Sequence, residues 1–189
     1  IYKKGINPWG RNKRLLLTRG ALGTAALFLI FNAIKTLPLS IATIIQYTYP
    51  SFAAIGAWYF LKERIRKRIF FAVILGWIGI GIVVYPDINL SNVGQNSPIY
   101  IFLALLGSFL TALAYITVRE LSRTEHPLVI IHYFPLVSVP ITIPFLIAKG
   151  VLPVGIEWFW LLGIGVFTQL GQIWITDGLR ILPAARASS

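Results

Sequence analysis

Residues 40–61 read SIATIIQYTYPSFAAIGAWYFL. The run carries no charge and is long enough to cross a bilayer, whose hydrocarbon core takes roughly 20 apolar residues at a helical rise of about 1.5 Å. Its middle breaks the pattern. Gln46, Tyr47, Thr48, Tyr49 and Pro50 place an amide, three hydroxyls and an imino acid where a lipid-facing helix carries aliphatics.

The rest of the chain decides how that run is read. Five further apolar runs lie at about 15–36, 69–86, 98–118, 128–148 and 158–179. With 57% hydrophobic residues, 12% charged residues and a mean hydropathy of +0.76, the chain is too apolar for a soluble domain of 189 residues. Strand-like alternation is absent, which argues against a β-barrel. The expected fold is an all-α membrane protein with six transmembrane helices.

A net charge of +11 raises the question of nucleic acid, and the distribution answers it. If the first residues are cytoplasmic, every one of the 17 lysines and arginines except Lys35 and Lys149 falls on the inner side, as the positive-inside rule predicts. Each basic cluster abuts an apolar run instead of interleaving with aromatics on one surface, so no nucleic acid is expected as partner. The expected location is the cell (inner or plasma) membrane, multi-pass, with residues 1–14 and the C-terminus cytoplasmic. Cysteine and methionine are absent. Disulfides and thiolate metal sites are thereby excluded. Ile1 opens within a basic loop and Ser189 closely follows a predicted helix, which reads as a fragment of a longer chain.

Enzymatic motifs are missing too. There is no His-Glu-x-x-His, no Gly-rich phosphate loop and no Gly-x-Ser-x-Gly, and His126 and His132 lack a carboxylate-rich partner set. Neither an enzyme nor a metal or other cofactor is expected.

An internal repeat is visible. AIKTLPLSIAT at 33–43 aligns without a gap with GLRILPAARAS at 178–188, each placing Leu-Pro two residues after a base. Asn32 then falls opposite Asp177. Five expected crossings separate the two Leu-Pro turns, so the repeats are inverted in the membrane, an architecture of many secondary transporters.

Three segments carry a family resemblance: RGALGTAALFLIFNAIKTLPLSIATIIQYTYPSFAAIGAWYFLKERI (19–65), RELSRTEHPLVIIHYFPLVSVPITIP (119–144) and QLGQIWITDGLRILPAARASS (169–189). In that order they resemble the EamA type of the drug/metabolite transporter superfamily. The resemblance implies a ten-helix carrier of two inverted five-helix repeats with both termini cytoplasmic. The chain would supply helices three to eight: residues 1–97 the C-terminal part of the first repeat, residues 98–189 the N-terminal part of the second. It implies translocation of a small metabolite or drug-like solute by alternating access. Substrates in the superfamily range over amino acids, nucleotide sugars, sugar phosphates and drugs, so the substrate does not transfer. The rival reading is a non-transporting structural or partner-binding membrane subunit, or a decayed fragment. Expected partners are the lipid bilayer and a small-molecule solute, with a homodimer left open.

Candidate site residues follow from polar groups inside the runs. Pro50 lacks an N–H and crowds the Gln46 carbonyl, so the helix should bend or loosen there. Thr43, Gln46, Tyr47, Pro50, Ala53, Ala54 and Ala57 share a small or polar helix face. Two readings fit that face. Either Gln46 with Tyr47 or Tyr49 hydrogen-bonds a solute and Pro50 supplies a gating bend, or the same groups pack between helices. The resemblance places the substrate cavity against this helix and its repeat mate, which lies beyond Ser189. Asn32, near the outer end of its run, joins the candidates. Gln169 and Gln172, three residues apart on one side of their run, fit a cavity and a packing role equally. His132 and Tyr133 stand about one turn into their span, where a histidine carries a proton, senses pH or simply hydrogen-bonds at the interface.

Other polar and small residues are read as scaffold. Pro135, Pro140 and Pro144 are expected to curve or break their helix. Asp177 and Arg180 are expected to form an ion pair at the membrane surface. Arg119, Glu120, Arg123 and Glu125 read as a cytoplasmic cap. Ala104, Ser108 and Ala112, with Gly107 and Thr111 beside them, and Gly76, Gly79 and Gly81 read as close-packing stripes. Trp9, Trp158 and Trp160 sit where interfacial aromatics belong.

Overall fold

A computed structural model describes residues 7–62, 67–89 and 97–182, apart from the side chains of residues 67–68, 83–89 and 97. The described residues are helical throughout, with no strand: α1 (Lys13–Ile34), α2 (Leu39–Gln46), α3 (Tyr49–Leu61), α4 (Lys67–Asn89), α5 (Ser97–Leu121), α6 (Pro127–Lys149) and α7 (Glu157–Ile181). Among the described residues, four helices are long and apolar enough to cross a membrane: α1, α5 from Pro98 onward, α6 and α7. In α4 the apolar stretch is shorter, Ile69–Ile82.

The helix ends have local causes. Asn12 caps α1, its Oδ1 accepting the Leu15 amide at 3.2 Å. His126 caps α6 through Nδ1, which accepts the Leu128 amide at 3.3 Å, and Pro127 begins the helix where its missing N–H costs nothing. At its C-terminus α3 stops on Lys62, in the left-handed region at φ 56°. The carbonyls ending α7 are met from another helix, Arg119 Nη1 donating to Leu179 O at 2.7 Å and to Arg180 O at 2.9 Å.

The bundle is organised about α1 and α5. Their backbones approach at Gly107, where an added Cβ would lie 2.8 Å from Ile30 Cγ1 and 3.2 Å from the Ala26 carbonyl. Alongside it on α5, Ala104, Ser108 and Ala112 are all buried, the small-residue stripe read from the sequence. α1 meets α6 with equal intimacy at Gly20, where a Cβ would come within 2.7 Å of Val137 Cβ. Two apolar clusters result. One gathers Leu16, Ala57, Val118, Leu121, Val129, Ile130 and Leu179. The other gathers Ala33, Leu37, Ile41, Ala42, Ile45 and Ala104.

Several expectations need correction. The run 40–61 is not one bent helix but two helices separated by Tyr47 and Thr48. Conversely, α6 stays unbroken through Pro135, Pro140 and Pro144. Gly76, Gly79 and Gly81 are not packing contacts, for a Cβ at any of them would meet nothing within 4 Å. α4 instead touches its neighbours through Ile80, against the Ala33 cluster, and through Trp77, edge-on to Phe52 at 5.6 Å. Among the described residues no ion pair joins Asp177 to Arg180. The second repeat copy runs past Leu182 and lies outside the described residues.

Candidate functional site

The polar cluster at the α2–α3 junction is built by Pro50. As the second residue of α3 it needs no N–H for its own helix, and it leaves the Gln46 carbonyl without the amide that would continue α2. The missing donor comes from α5: Ser108 Oγ lies 3.2 Å from Gln46 O. Thr48, fully buried, turns its hydroxyl to Ile45 O at 2.7 Å and stands 2.6 Å from Ser108 Oγ. Two hydroxyl protons thus serve three contacts, and the break is sealed against α5 rather than by the Gln46 side chain. That side chain reaches Thr111, with Nε2 at 3.4 Å from Oγ1, and leaves its Oε1 buried and without a partner.

The neighbouring candidates diverge. Tyr47 is 67% exposed, on the far side of the junction from α5. Tyr49 is half-buried, edge-on to Tyr115 on α5 with ring centroids 5.3 Å apart. Pro50 is half-buried beside it. Asn32, on α1, donates from Nδ2 to its own helix at Phe28 O, 2.7 Å away. It also lines a cavity of about 310 Å³ between α1 and α6, with Thr24, Phe28, Lys35, Phe134, Ser138 and Thr142 among the walls.

His132 and Tyr133, neighbours on α6, have different surroundings. His132 is exposed, while Tyr133 is buried and donates to the Trp9 carbonyl at 2.9 Å. The second hold on that N-terminal segment is Glu125, whose Oε1 accepts the amides of Arg11 at 2.6 Å and Asn12 at 2.7 Å. The four residues read as one cap are therefore divided. Glu125 holds the start of α1, Arg119 holds the end of α7, and Glu120 pairs with Arg123 at 3.1 Å.

Gln169 and Gln172 also separate. Gln169 is exposed, whereas Gln172 is half-buried and accepts, through Oε1, a hydrogen bond of 2.8 Å from Arg19 Nη2. Arg19 is the residue that the sequence reading misplaced. It was grouped with the inner-surface cations, yet it is 3% exposed, with its guanidinium carbon 4.7 Å from the centroid of Phe134. Its Nε and Nη1 are buried with no acceptor. The signal was available: Arg19 lies within the run 15–36, and a charge inside a run is a functional candidate by default. Ser108 carried a weaker one, being a polar member of a small-residue stripe.

An all-helical bundle with four long apolar helices and polar groups held between them is a multi-pass membrane protein. The chain belongs to the EamA-like transporter family, which it matches over residues 1–85 and 98–189. It is 32% identical over 163 residues to the Pseudopaline exporter CntI of Pseudomonas aeruginosa (strain UCBPP-PA14), an overlap covering 86% of this chain and 56% of that protein. To Solute carrier family 35 member G1 of Mus musculus it is 30% identical over 193 residues, 96% of this chain and 52% of the relative. To the Riboflavin transporter of Vibrio cholerae it is 28% identical over 142 residues, 73% of this chain and 45% of the relative. The chain spans about half the length of these curated relatives. No solved structure matches it.

Proposed function

We propose that the protein is a membrane carrier that moves a small organic solute by alternating access, within a ten-helix arrangement of two inverted repeats to which this chain contributes six crossings. α2 and α3 would together make the second crossing. The observation that carries the reading is the family match on both sides of residue 97, joined by relatives whose names are those of transporters. The geometry supports it in one respect. Interrupted helices are tolerated inside a bilayer where they are buried in protein or line a cavity, and carriers build solute sites at such interruptions. Here the interruption leaves Gln46 Oε1 without a partner, and a second polar pair, Arg19 with Gln172, is held between α1 and α7.

These 189 residues contain no cysteine, so a single cysteine introduced here is read cleanly once any cysteines elsewhere in the intact protein have been replaced by serine. In the intact protein, Gln46→Cys, Pro50→Cys and Gln172→Cys are expected to react with a membrane-impermeant thiol reagent, at rates that depend on which side the reagent is applied. If all three stay inert while loop cysteines label, the cavity assignment fails and a sealed packing subunit is the better description.

A further inference from the structure

Arg19 is unlike every other cation on α1. At its rise of about 1.5 Å per residue, the helix carries Arg19 roughly 9 Å inward from Lys13. Phe134 on α6 and Gln172 on α7 converge on it there. A buried guanidinium with five N–H groups needs acceptors, and an intramembrane charge needs a partner. The described carboxylates do not provide one. Glu120 is paired with Arg123, Glu125 holds two backbone amides, Glu157 accepts the Val154 amide at 2.8 Å, and Asp177 is exposed. What Arg19 has is one neutral amide oxygen, an aromatic face and the phenol of Tyr115 within electrostatic reach, with Nε and Nη1 making no hydrogen bond.

Phe134 takes part in two places. Its ring packs against the guanidinium, and it is also among the residues lining the cavity of about 310 Å³ between α1 and α6. Gly23 allows this arrangement, since a Cβ there would come within 3.0 Å of the Phe134 ring and 3.1 Å of Arg19 Nη1. The ring is thus shared between a buried cation with two unbonded nitrogens and a cavity whose walls include Thr24, Ser138, Thr142 and, toward the other end of α1, Lys35. We infer that Arg19, steadied by Gln172, is the anchor for an oxyanion of the transported solute, a carboxylate or a phosphate, and that Phe134 is the lid that swings aside to admit it. The inference rests on the carrier reading and narrows its solute to molecules bearing an anionic oxygen group.

The test places a single cysteine in the cavity wall, Ser138→Cys, in the intact protein in phosphatidylcholine liposomes. It compares an anionic with a cationic methanethiosulfonate of similar size. The anionic reagent is expected to react faster, with Lys35 of the same wall contributing in every variant and the preference falling on the order of tenfold in Arg19→Gln and returning in Arg19→Lys, because removing a full charge beside the cavity lowers its potential. Inorganic phosphate should slow the anionic reagent only where the charge at residue 19 is kept. Phe134→Ala should speed the anionic reagent in the Arg19 background, a readout that stands even if Arg19→Gln fails to fold. No labelling by either reagent would refute the carrier's cavity itself. Labelling without charge preference, or a preference unchanged in Arg19→Gln, would refute the anchor and leave the carrier standing. Loss of both preference and phosphate protection when phosphatidylglycerol is added would assign the site to a lipid headgroup and overturn the solute reading.

Discussion

Replacing Ser108 by alanine removes the donor that compensates for Pro50. Ser108 is fully buried, its hydroxyl touches Gln46 O and Thr48 Oγ1, and no other described group donates to that carbonyl. Interhelical hydrogen bonds within membranes average about 0.6 kcal/mol and reach about 1.7. A buried acceptor left empty costs about 1–3 kcal/mol. For Ser108→Ala, which loses one contact and orphans one carbonyl, these ranges meet at about 1.5 kcal/mol. The same substitution in a Pro50→Ala background is a different experiment. Residue 50 then has an N–H four positions after Gln46, the carbonyl regains a backbone donor, and Ser108 retains only Thr48. Its cost should fall to about 0.6 kcal/mol, a coupling of about 1 kcal/mol between residues on different helices. Unfolding the four proteins of this double-mutant cycle with SDS in mixed micelles measures the coupling. Equal costs of Ser108→Ala in both backgrounds, within about 0.4 kcal/mol, would show that Ser108 does not stand in for the missing amide.

Glu125→Ala should free the segment before α1 and speed its cleavage by protease added from the inner side, with a stability loss of about 2 kcal/mol for two charge-assisted bonds. Glu125→Gln should recover part of it. Gly20→Ala should lower the melting temperature of the intact protein more than Gly56→Ala. The first drives a Cβ against Val137 Cβ, which is tied to the α6 backbone, whereas the second meets only the terminal methyl of Ile116, which can rotate away. Arg119→Ala should raise amide exchange in the last turn of α7 without affecting α6, since two of that turn's carbonyls lose their donor.

The helix boundaries were legible in the sequence because uninterrupted hydrophobicity is a local signal. The runs 98–118, 128–148 and 158–179 differ from α5, α6 and α7 by no more than three residues at either end. The position of the α2–α3 junction was legible for the same reason, in Pro50 and the polar residues before it. Its form was not. Whether a proline bends a helix or begins a new one depends on who supplies the lost hydrogen bond, and Ser108 does so from 62 residues away. Glycine spacing failed similarly. Gly107 and Gly79 look alike in sequence, yet one faces α1 at contact distance and the other faces open space. Arg19 was misplaced because a count of charges by side treats the end of a run as its surface. Burial is a property of the neighbours, here α6 and α7, more than a hundred residues away along the chain.

Among the described residues, α7 is fastened at one end only. Its buried residues are Thr176 and Leu179, its capping by Arg119 falls on Leu179 and Arg180, and its bond to Arg19 is at Gln172, while Trp158 through Leu162 stand exposed. With 25 residues it is about 37 Å long, so a tilt of about 10° about the fastened end displaces the other by about 6 Å. Mechanically it is a lever pivoting at its C-terminal end, and Gln172 lies close to the pivot. Small rotations that sweep the N-terminal tip across several ångströms would move the Arg19 contact by only a fraction of that distance.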